Sequence, residues 1–196
     1  MHAPVNVFHR FTLGLALMSS GAAVAAAAPP CDMGLITEPA DLCSIPVQGG
    51  HFERGLAGWH TVGDVLAVTS PSDPLAAAAS LGSHSALLQS IEIPASAHEY
   101  GDITLYQVIV SVHAAGEGGR VRVQGSMMDK AFNLRSVLDE EVELSPGVNT
   151  LPLSFSGVQT AQPTELQFSI HRRDSNASAS VTVLSVGAGQ RGARID

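Results

Sequence analysis

From Gly49 onward the chain is a succession of short apolar runs broken by Gly, Ser, Pro and Asp. Several runs alternate with period two, the signature of strands that bury one face. The clearest is Ile103 to His113, in which Val108, Val110 and Val112 face one way and Gln107, Ile109, Ser111 and His113 the other. Arg120 to Met127 sets Val121 and Val123 against Arg120, Arg122 and Gln124. Glu165 to His171 sets Leu166, Phe168 and Ile170 against Gln167, Ser169 and His171. Further strands are predicted at His60 to Val62, Asp64 to Thr69, Ala86 to Ile93, Thr150 to Phe155 and Ser180 to Val186. Pro152 places its strand at a sheet edge. Gly116 to Gly119 reads as a hairpin turn. Ala131 to Leu144 fits helix or strand, and Leu75 to Ser80 reads as a helical turn, because Ala is the best helix former and Pro74 suits a first helical position. Many short strands with frequent turn residues predict an all-β two-sheet sandwich spanning residues 49–188.

The flanks read differently. Residues 1–27 have the pattern of an export signal: Arg10, an uncharged apolar run from Phe11, and Ala-x-Ala cleavage sites within Ala25 to Ala28. The alternative is an uncleaved anchor at the lower length limit for a membrane span. Residues 28–48 form a Pro-rich lead-in with little expected regular structure, and residues 189–196 a fraying tail. Cys31 and Cys43 are the only cysteines. An even count in an exported chain favours a disulfide between them, worth about 3 kcal/mol by loop entropy. A secreted or periplasmic location follows from these readings.

Charge narrows the partners. The net charge is −8, with one lysine, Lys130, against nine arginines, and no basic stripe. Nucleic acid and anionic membrane are therefore poor partners, since both need clustered cations. No Gly-x-Ser-x-Gly, His-Glu-x-x-His or phosphate loop occurs, so no enzyme is expected. Asp139-Glu140-Glu141 reads as a solvated acidic face rather than a glycosidase pair.

The segment Phe52-Glu53-x-Gly55-Leu56-x-Gly58-Trp59 resembles the opening of jelly-roll carbohydrate-binding modules with a galactose-binding-like fold, the type appended to secreted bacterial glycanases. Gly82 to Leu88, Glu99-Tyr100 and Ile103 to His113 follow in a similar order. The resemblance implies a jelly-roll sandwich and non-catalytic glycan binding through a polar sheet face or edge loops. The alternative is a structural or protein-interaction sandwich of the bacterial cell envelope. No cofactor is expected beyond a structural calcium. Glu53 matches the family's calcium-side Glu, yet the last strand lacks the carboxylate that would partner it. Trp59 sits where the family has a core tryptophan, which leaves Tyr100 and Tyr106 as sugar platforms. From the alternation, Gln107, His113, Arg122, Gln124, Gln167 and His171 are expected to form one ligand-binding face if their strands are neighbours, because amides, imidazoles and a planar guanidinium suit hydroxyl recognition.

Overall fold

Alternation becomes two antiparallel sheets in the computed structural model, which describes residues 42–94, 103–128, 133–158, 163–175 and 179–191. The strands are β1 (Leu42–Ile45), β2 (His60–Val62), β3 (Val65–Thr69), β4 (Ala77–Leu81), β5 (Ala86–Ile93), β6 (Ile103–Ala115), β7 (Gly119–Met128), β8 (Leu134–Leu144), β9 (Gly147–Val158), β10 (Thr164–Arg172) and β11 (Ser180–Arg191). One sheet runs β3-β4-β11-β6-β9, with β1 also paired to β11; the other runs β2-β5-β10-β7-β8. The all-β two-sheet expectation holds. Residues 1–41, with the expected export signal and Cys31, and Tyr100 lie outside the described residues.

Between the sheets, the inward sets interdigitate. Val108, Val110 and Val112 meet Val121, Val123, Leu166, Phe168 and Ile170, all at most 1% exposed. At about 25 cal/mol per Å² of apolar surface removed from water, this layer is the main driving force for the fold. Among the described residues no helix is long and apolar enough to cross a membrane.

Four local expectations are corrected. Ala77 to Leu81 is strand β4 rather than part of a helical turn: Ala78 and Ala79 are fully buried, and β4 lies between β3 and β11. Strand pairing overrides the small intrinsic preference of Ala for helix. Asp73 makes the turn before it, accepting from the Leu75 N–H at 2.9 Å. Strand β1 brings order into the lead-in, because Leu42 to Ile45 pair with Arg191 to Ala188. The same pairing carries β11 through Arg191, into the region expected to fray. Finally, the Gly116–Gly119 turn joins no hairpin. Strand β6 pairs with β9 and β11, whereas β7 pairs with β8 and β10, so the turn crosses between sheets. Gly118 permits that crossing, with φ +95° and no room for a Cβ against the Leu144 carbonyl.

Residues 131–144, left open between helix and strand, supply β8 from Leu134 onward. Strand β9, containing Pro152, is an edge strand. The opening segment is a chain of tight turns. Gly49, Phe52, Gly55 and Gly58 all have positive φ. A left-handed Phe is uncommon. Phe52 is held there by full burial and by its stack on Trp59, ring centroids 5.8 Å apart.

Charge divides sharply between the sheets. The strands of the six-stranded sheet contain one charged residue, Arg191, whereas those of the five-stranded sheet contain ten. That division separates a charge-rich sheet from a nearly uncharged one.

Candidate functional site

Strands β7 and β10 are neighbours, so their polar positions share the outer face of the five-stranded sheet. His171 lies opposite Arg122, Ser169 opposite Gln124, and Gln167 opposite Ser126. Arg122, Gln124, Gln167 and His171 are thus brought together. Gln107 and His113 are not. Strand β6 belongs to the other sheet, where Gln107 lies between Gly189 and Ser154, and His113 between Thr182 and Val148. Their face points away from the first, across the whole core. The expected single face is therefore two faces, separated by the crossover at Gly118.

A depression of about 550 Å³ reaches across the five-stranded sheet, with lining residues from every strand: His60, Ser90, Gln124, Asp139 and Gln167 among them. At 4.7–4.9 Å between strands, five strands span roughly 19 Å. Leu88 adds an apolar patch. Sequence reasoning missed Ser90, Glu165 and Asp139. Glu165 carried a usable signal, since it alternates in step with Gln167 and Ser169. Asp139 was hidden in the acidic run, whose geometry depends on which strand faces it.

That acidic run is an ion-paired strand. Arg122 donates from Nε and Nη2 to the two Asp139 oxygens, both at 2.6 Å. This hydrogen-bonded pairing holds the Asp139 carboxyl below its ordinary range and raises the Arg122 guanidinium. Arg120 bridges Glu143 at 2.7 Å and Glu141 at 3.3 Å. His171 lies 2.9 Å from the Ser169 hydroxyl. Burial lowers its pKa, with help from the Arg173 and Arg122 charges. Ser90 donates to Glu165 Oε2 at 2.8 Å.

At the β2 end the depression adjoins a smaller hollow of about 290 Å³, lined by Gln48, Gly58, Trp59, His60, Gln89 and Ser90. Gln89 is buried, and its Nε2 donates to the Gln48 and Gly58 carbonyls at 2.7 Å each. This ties the turn segment to β5 and leaves Gln89 Oε1 without a partner.

No aromatic platform is exposed among the described residues. Trp59 is buried and donates from Nε1 to the Gly49 carbonyl at 3.0 Å. Tyr106, expected as a platform, is 2% exposed and stacks on Phe155. It faces the core because it shares the parity of Val108 and Val110. Glu53 is exposed, and among the described residues no group of three or more His, Cys, Asp or Glu could hold a metal ion. Strand β11 offers Glu53 no carboxylate, so the residues described do not fit a calcium ion.

No protein-family profile matches the chain, and no curated protein does. Solved structures do match. One is TmCBM61 in complex with β-1,4-galactotriose, at 20% identity and TM-score 0.50, covering 74% of this chain and 97% of that one. Another is a family 16 carbohydrate-binding module, at 14% identity and TM-score 0.50, covering 72% of this chain and 97% of that one. The chain has the jelly-roll sandwich fold of these carbohydrate-binding modules.

Proposed function

We propose that this protein is a secreted or periplasmic non-catalytic module that binds a glycan across the outer face of its five-stranded sheet. The observation that carries the reading is the depression spanning all five strands, walled by amides, hydroxyls and carboxylates. Gln124 and Gln167 each offer donor and acceptor, which matches the double role of a sugar hydroxyl. Among the described residues no Trp, Tyr or Phe ring is exposed, so affinity there rests on these hydrogen bonds and on contact with Leu88. Fold alone does not assign this role, because one fold hosts many functions. Export and a Cys31–Cys43 disulfide belong to the same proposal.

A second reading, a protein-interaction sandwich of the cell envelope, is favoured by the nearly uncharged sheet that carries Gln107 and His113. Affinity electrophoresis of the full chain through gels of neutral polysaccharides separates the two. Retardation by at least one polymer is expected. Gln124→Ala and Gln167→Ala should each weaken it roughly 2- to 10-fold, the worth of a hydrogen bond, while leaving stability within about 0.5 kcal/mol. Loss of no affinity in either variant would place the glycan elsewhere. Failure of every polymer would remove the glycan reading.

A further inference from the structure

The depression carries charge of one sign. Asp139 and Glu165 line it, and among the described residues no lysine or arginine does. The guanidinium on the same face is committed, since Arg122 forks onto both oxygens of Asp139. Arg120 is divided between Glu141 and Glu143. Glu165 differs from these acids. Its contact is the Ser90 hydroxyl, a neutral donor, and no ion pair among the described residues reaches it. Among the described residues its negative charge therefore stays uncompensated on the wall. The surrounding strands contain six acids against four arginines, and the whole chain has a net charge of −8.

We infer that the depression selects its glycan by charge: it takes neutral polymers and excludes those bearing carboxylate or sulfate groups, with Glu165 as the residue that sets the exclusion. This rests on the glycan-binding reading above. Selectivity of this kind comes from repulsion built against the wrong ligand rather than from extra attraction to the right one. A ligand carboxylate about 4 Å from Glu165 loses about fivefold in affinity in bulk water, and more where the wall displaces water. Salt weakens such repulsion, because the Debye length shrinks to about 3 Å at 1 M.

The test uses the full chain with a β-galactan, a β-glucan and each polymer oxidised at its primary alcohols to the uronate. Binding is measured by calorimetry at low and high salt. The neutral polymer that binds should do so almost independently of salt, and its uronate should bind at least about fivefold more weakly at low salt. High salt should narrow that gap, and Glu165→Gln should narrow it without salt. The side chain of Glu165 is exposed, so this variant is expected to fold. Equal or tighter binding of the uronate would overturn the inference. A gap unchanged by both salt and Glu165→Gln would overturn it too, by assigning the loss to the missing primary hydroxyl. If neither form of either polymer binds, the glycan reading fails first and this inference with it.

Discussion

Arg172 ends β10 on the inward side, at 5% exposure. Its position follows the parity of Ile170 and Phe168, which would ordinarily call for an apolar residue. The structure satisfies the charge instead. Nε and Nη2 reach Asp174 Oδ1 at 3.0 and 2.7 Å, Nη1 reaches the Leu81 carbonyl at 3.0 Å, and Nη2 the Ala179 carbonyl at 3.0 Å. Asp174 in turn accepts from the Arg120 N–H at 3.0 Å. One side chain thus joins β10, β4 and the approach to β11. Arg172→Met removes the guanidinium from Asp174 Oδ1 and from two buried carbonyls, so it should cost about 3–5 kcal/mol, read as a fall in the urea midpoint. The neighbouring His171 sets a pH effect. Its folded-state pKa lies below the ordinary 6.5, so above pH 6.5 both states are neutral and stability is full. As pH falls through 6.5 the unfolded chain takes up the proton first, and stability declines until the folded state is protonated as well. His171→Gln should flatten the urea midpoint between pH 7.5 and 5, whereas the Asp139 contribution is lost only near and below pH 4.

Elements succeed or fail in prediction according to whether their cause is local. Strand β9 shows a cause that is not. A Cβ on Gly157 would sit 2.8 Å from Tyr106 Cε2 and 3.1 Å from Met127 Sδ. Gly157→Ala therefore pushes into a packed ring and should destabilise by about 1–3 kcal/mol in urea unfolding. Nothing in the sequence near Gly157 announces Tyr106, which lies on another strand. Strands β5, β6, β7 and β10 were legible because a period of two is written in consecutive residues. Strands β1 and β4 were not, since Leu42 to Ile45 and the alanines of β4 extend only by pairing with β11 and its neighbours. The candidate site divides the same way. Arg122 with Gln124, and Gln167 with His171, were readable from parity on their own strands. That β10 lies beside β7, and that β6 lies in the opposite sheet, depends on how the chain crosses at Gly118.

The whole molecule is organised by charge. Neutral Ser, Thr and Gly positions alternate with the core across much of the six-stranded sheet, while Arg120 and Arg122 of the five-stranded sheet form ion pairs with Asp139, Glu141 and Glu143 on β8. Two expectations meet on that charged face: Gln124 and Gln167 read the hydroxyls, and Glu165 refuses anions. A sandwich with one charged residue in the strands of one sheet and ten in those of the other presents distinct surfaces to solvent without any change of fold. Its ends are arranged with equal economy. Leu42 begins β1 and lies opposite Arg191 at the close of β11. Tension applied through the flanking chain would therefore act across this strand pair, not along it. The ladder between β1 and β11 would open one residue pair at a time, beginning at Leu42 and Arg191, like a zipper rather than a lap joint. Under load the sandwich would yield first at this corner, on the sheet opposite the depression.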